Sequence, residues 1–111
     1  MKMVSGLRWM EHDRYGNDIY LTEERWQHIT EPTNHPEMLD SEDELRETIR
    51  TGRRKQEMFN PQKYRYSKAF DNLAEDNTHI VAIVLFRFAE DETGTLSPNN
   101  YIVTAYQKEL G

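Results

Sequence analysis

The sequence predicts a single α+β domain in which two short N-terminal helices pack on a roughly four-stranded antiparallel meander. Two helix-start signals, at Thr22 and Ser41, lie in the first half of the chain, and beyond residue 60 the apolar pattern changes from helical to alternating. The length, 111 residues, suits one domain with one core. The expected parts are an arm or hairpin over 1–21, a helical part over 22–52 and a sheet over 53–108.

Residues 6–21 read as extended, since Asp13-Arg14-Tyr15-Gly16-Asn17-Asp18 is a turn cluster between Leu7/Trp9 and Ile19/Tyr20/Leu21. Thr22 is an N-cap candidate, followed by Glu23 and Glu24 in the first turn and flanked by Leu21 and Trp26 as a hydrophobic staple. A helix is therefore expected over 23–30, stopped by Pro32, with Thr33-Asn34-His35-Pro36 as connector. Ser41 and Glu44 have capping-box spacing, Leu45 and Ile49 share a face, and Gly52 reads as a left-handed C′ residue. These signals set a second helix over 42–51.

A strand is expected at 54–59, broken by Asn60-Pro61, and another where Tyr64, Tyr66 and Phe70 alternate with Lys63, Arg65 and Ala69. After a turn at 71–78, His79 to Phe88 is rich in β-branched and aromatic residues, as in a central strand covered on both faces for part of its length. Glu90 to Asn100, with Gly94 and Pro98, reads as a loop, and Tyr101 to Tyr106 as the last strand.

Composition narrows the function classes. The chain has no cysteine, which excludes a disulfide scaffold, thiolate metal ligands and thiol catalysis. Met1 to Met10 lacks a signal-peptide apolar core, and no stretch has the apolar length of a membrane helix, so a cytoplasmic protein without membrane contact is expected. The net charge of −6 argues against a generic nucleic-acid binder, and no DNA partner is expected. The charge is unevenly distributed. Residues 46–68 hold eight basic and two acidic residues, net +6, against −12 for the remainder. That segment is either a basic face for a polyanion or a solvated helix face followed by a charged edge strand.

A helix ending Trp26-Gln27-His28-Ile29, the connector His35-Pro36-Glu37, a second capped helix, an apolar strand and a final strand ending Val103-Thr104-Ala105-Tyr106 occur in that order. The combination resembles small phage and bacterial members of the barnase/EndoU/colicin/RelE-like group of metal-independent ribonucleases, over residues 18–108. The resemblance implies RNA cleavage without metal or other cofactor, often by a toxin held by an antitoxin, with a site on the sheet and first helices. Many such toxins are basic overall, whereas this chain is acidic.

Metal-free RNA cleavage needs a base for the ribose 2′-hydroxyl, an acid for the leaving 5′-oxygen, and donors or cations for the phosphorane oxygens. Histidine suits either proton role near neutrality. His28 lies about 200° around the helix from Trp26, hence outward, and His35 sits in the connector, where turn-making alone also accounts for it. His12 and His79 flank turns and read as solvated. Arg53, Arg54, Lys55, Arg65 and Lys68 are the phosphate-holding candidates. Thr104 and Tyr106 share a face of the last strand, opposite Tyr101, Val103 and Ala105. If the latter face packs on the helices, Thr104 and Tyr106 look onto the open face, where Tyr64 and Tyr66 could join them as base-stacking platforms, although a tyrosine on a sheet is more often packing than recognition. His28 and His35 lack the i, i+4 spacing of a helical metal pair, and Asp40 to Glu44 reads as a helix start, so no metal site is expected. The rival reading is a protein-interaction module of the same fold without catalysis.

Overall fold

The computed structural model describes residues 6–110. The chain runs β1 (Leu7–His12), β2 (Asp18–Thr22), α1 (Glu23–Ile29), a 3-10 turn (Pro36–Asp40), α2 (Glu42–Thr51), β3 (Arg53–Gln56), β4 (Lys63–Ala69), β5 (His79–Glu90) and β6 (Leu96–Lys108). The α+β class holds, with the helices in the N-terminal half. The sheet, however, has six strands in the order β1-β2-β6-β5-β4-β3. Strands β3 to β6 form the expected meander, and the N-terminal hairpin joins it where β2 pairs parallel with β6, Ile19 with Asn100 and Tyr20 with Tyr101. That junction brings together residues 80 or more positions apart, which no local pattern encodes.

Both helices and the 3-10 turn lie on one face of the sheet. Trp26, Ile29, Met38, Leu45 and Ile49 form one core with Trp9, Ile19, Leu21, Tyr66, Ile80, Ala82, Val84, Ile102 and Ala105. Thr22 caps α1 as expected, its hydroxyl accepting from the Arg25 N–H at 3.1 Å. Ser41 does not cap α2. It makes no side-chain capping bond, and its hydroxyl instead accepts from Gln107 of β6 at 2.9 Å. Gly52 is not left-handed either: its φ is −69°, and glycine is required because a Cβ would lie 2.3 Å from the Thr48 carbonyl oxygen and 2.9 Å from that of Ser67.

The expected loop over 90–100 is shorter than its composition suggests, since the strands run on to Glu90 and resume at Leu96. Pro98 is tolerated in β6 because it pairs with Phe88 at a position where the missing N–H would face away from β5. The β1–β2 turn forms as expected. Asp13 accepts from the backbone N–H groups of Tyr15 and Asn17 at 2.9 and 2.8 Å, and Gly16 takes the left-handed φ of +88°. No helix among the described residues is long and apolar enough to cross a membrane.

Candidate functional site

The pleat deals the basic segment alternately to two faces. On the face without helices, one register row reads Arg53, Ser67, Val81, Tyr106 and the next Lys55, Arg65, Ile83, Thr104. The row between them, Arg54, Tyr66, Ala82, Ala105, points into the core. With strands about 4.8 Å apart, the open-face rows span about 14 Å from β3 to β6, within reach of two long side chains extended toward each other.

Arg53, Lys55, Arg65, Ser67 and Lys108 border a cavity of about 190 Å³ on the open face. Arg65 lies 3.9 Å from Glu57, while no carboxylate among the described residues pairs with Arg53, Lys55 or Lys108. Val81 and Ile83 are buried here although no helix covers them, because the side chains in register on either side flank them. Thr104 and Tyr106 stand on this face, as the period-2 reading expected. The connector wraps the neighbouring edge of β6: the Gln107 N–H donates to Glu37 at 3.4 Å, and the His35 ring lies 5.5 Å from that of Tyr106, tilted by 32°. His35 Nδ1 is 3.5 Å from Glu37 Oε2, so Glu37 holds both the strand edge and the imidazole.

Four expected site residues belong to the other face. Tyr66 is fully buried and its hydroxyl donates to Asp13, itself only 3% exposed. Burial first, and then that hydrogen bond, push the Tyr66 hydroxyl well above the usual phenol range. Tyr64 packs edge-on against Phe86, ring centroids 4.8 Å apart. Tyr64 and Tyr66 are therefore not base platforms beside Thr104 and Tyr106, because they pair in register with the inward-facing Val84 and Ala82. The Arg54 guanidinium lies 4.2 Å from the Tyr15 ring centroid and 4.5 Å from that of Tyr64, and 4.0 Å from Asp13. Lys68 is held by Glu47 at 2.7 Å and by the Thr51 hydroxyl at 2.6 Å. His28 is exposed on α1, on the helix side of the sheet, 3.3 Å from Glu31.

The open face also carries a feature that the sequence reading placed elsewhere. Tyr101 lies there beside Tyr20, ring centroids 5.9 Å apart, next to a cavity of about 200 Å³ that Thr22 and Arg25 also line. Strict alternation put Tyr101 opposite Thr104. A bulge in β6 intervenes, since Ile83 pairs with Thr104 and the next residue, Val84, with Ile102, leaving Val103 unpaired. The local sequence carries no glycine or proline to announce it.

Comparison of the chain with protein-family models, curated proteins and solved structures finds no match. Among the described residues no three His, Asp or Glu side chains are grouped as metal ligands.

Proposed function

We propose that the open face binds single-stranded RNA and that the protein is a metal-independent endoribonuclease acting there. The observation that carries this reading is the gathering of Arg53, Lys55 and Arg65 on one uncovered sheet face, in rows that end at Tyr106 and Thr104, with Lys108 in the next row. Cations without carboxylate partners remain available to phosphate, and tyrosines on an uncovered sheet offer stacking surfaces. The aromatic platform in this reading is Tyr20 with Tyr101.

For cleavage, His35 takes the proton from a ribose 2′-hydroxyl, whose oxygen attacks the adjacent phosphorus. The P–O5′ bond breaks, the leaving oxygen receives a proton from the Tyr106 hydroxyl, and a 2′,3′-cyclic phosphate remains. Arg65 and Arg53 hold the phosphorane oxygens, and the Thr104 hydroxyl donates at the same row end. His35 is favoured over His28 because it alone lies against a residue of the open face.

The test uses labelled single-stranded RNA in EDTA with analysis of the 3′ ends. Cyclic phosphate ends are expected, lost about 100-fold or more in His35→Ala, and retained in His12→Ala. Lys55→Glu with Arg65→Glu should weaken RNA binding at least about tenfold and flatten its salt dependence. Failure of the parent to bind or cut RNA ends this proposal. The rival, an interaction module whose acidic helices and basic strand region meet complementary patches on a partner, is favoured if the folded parent neither binds nor cuts RNA.

A further inference from the structure

The β5–β6 hairpin outruns the rest of the sheet. The last paired residue of β4 is Lys63, opposite Leu85, and the Phe86 N–H makes one further bond to the Gln62 carbonyl at 2.7 Å. Beyond it, Phe88 and Glu90 have the same orientation as Phe86, so their N–H and C=O groups point away from β6 with no strand beside them. Other open stretches of sheet edge are blunted, beginning with the terminal strand β1, which carries the charged Arg8 and Glu11. The β3 edge is four residues long and carries Arg53, Arg54 and Lys55, Pro98 removes a donor from the outer side of β6, and Glu37 occupies the Gln107 N–H. The open stretch of β5 carries Arg87 and Glu90 but has neither a proline nor a side chain bonded to its backbone, and exposed apolar side chains surround it. Phe88 is 70% and Leu96 65% exposed on the hairpin, and Met58 and Phe59 are 85% and 95% exposed on the β3–β4 turn at the same end of the sheet.

We propose that this edge is a self-association surface, on which a second copy of the chain pairs its own β5 antiparallel about a two-fold axis through Ala89. The pattern of free backbone groups fixes the register. With Ala89 opposite its symmetry mate, Phe88 faces Glu90 of the partner, and these two residues exchange both backbone hydrogen bonds on each side of the axis. A register centred on Phe88 would require the Phe86 N–H, which Gln62 already holds. Centring on Ala89 also sets Arg87 opposite Asp91 of the other copy, twice, on one face of the new ribbon. Arg87 makes no ion pair among the described residues, and the Asp91 carboxylate is held below the usual carboxylate range by hydrogen bonds from Thr93 and Thr95. On the opposite face the two Phe88 rings meet diagonally, with Leu96 beside them. This charge match is what commits the edge to a second copy rather than to an unrelated strand.

The interface is short, so a weak dimer is expected, with a Kd on the order of 10–100 μM. Its test is independent of RNA. Sedimentation equilibrium should show reversible dimerisation in that range, weakened about tenfold or more in Arg87→Glu, which sets like charges opposite. The chain has no cysteine, so Ala89→Cys introduces a single thiol. At a non-hydrogen-bonded antiparallel pair the Cα atoms lie about 4.5 Å apart, within disulfide range. Ala89→Cys should thus cross-link rapidly under mild oxidation and Glu92→Cys, equally exposed at the hairpin tip, slowly. A monomer up to several hundred micromolar, or equal cross-linking at the two positions, overturns the proposal.

Discussion

The two faces of the sheet treat the same kind of residue in opposite ways. On the helix-covered face the basic side chains of the 46–68 segment have uses within the fold: Arg54 stacks among Tyr15, Tyr64 and Phe86 above Asp13, Lys68 joins Glu47, and Arg46 and Arg50 both reach Glu11. On the uncovered face Arg53, Lys55 and Lys108 have no carboxylate partner among the described residues, and Arg65 has only a distant one. Positions 53, 54 and 55 are chemically alike, yet the pleat makes the middle one structural and leaves the outer two for a ligand. A cluster of charge in a strand is therefore not one feature but two, divided by parity.

The largest way to break the inner face is through Asp13. Its carboxylate is buried, which on its own would raise its pKa, but hydrogen bonds from Tyr66, from Asn17 and from the Tyr15 N–H outweigh the burial and hold it below the usual carboxylate range. Asp13→Ala leaves those donors without an acceptor and should cost roughly 3 kcal/mol in denaturant unfolding. The folded chain binds this proton more weakly than the unfolded chain. The contribution is thus complete above the ordinary carboxyl range and is lost as pH falls through the depressed folded value; in Asp13→Asn that part of the acid dependence of stability should disappear.

Gly52→Ala tests the seam where α2 turns into β3. The new Cβ would collide with two backbone oxygens, which have less freedom to move than side chains, and a loss of about 2 kcal/mol is expected in thermal or chemical melts. Arg54→Lys comes next, at about 1 kcal/mol. An ammonium keeps the charge near Asp13 but loses the planar stacking on Tyr15 and Tyr64, so a loss close to zero would show that charge alone secures Arg54.

Much of this architecture was legible because it is local. Both helices, the Asp13 turn and the long β5 follow from caps, glycine and β-branched runs that act within a few residues. Ser41 and Gly52 show where local signals mislead: each occupies the expected boundary but serves a long-range contact, Ser41 with Gln107 and Gly52 with the Ser67 carbonyl. For the candidate site, alternation correctly set Thr104 and Tyr106 on the uncovered face. It misplaced Tyr101 because a one-residue bulge reverses parity, and it misplaced Tyr64 and Tyr66 because alternation says which residues share a face but not which face meets the helices. For Tyr66 the inward face also supplies a hydroxyl partner, Asp13, which lies 53 positions away.

The smallest stability effect gives the sharpest comparison. Lys68 and Lys55 lie on neighbouring strands and opposite faces, and both would count equally in any tally of charge. Lys68→Ala removes a half-exposed ion pair and a hydrogen bond to Thr51, a loss of about 0.5–1 kcal/mol in denaturant unfolding. Lys55→Ala removes a side chain that has no ion pair or hydrogen bond among the described residues and should leave stability unchanged. On RNA the order reverses: Lys55→Ala should weaken binding and lower its salt slope by about one counterion, while Lys68→Ala should alter neither. Equal effects of the two substitutions on binding would mean that the polyanion is attracted by net charge rather than seated on the uncovered face, and the division by parity would then describe folding alone.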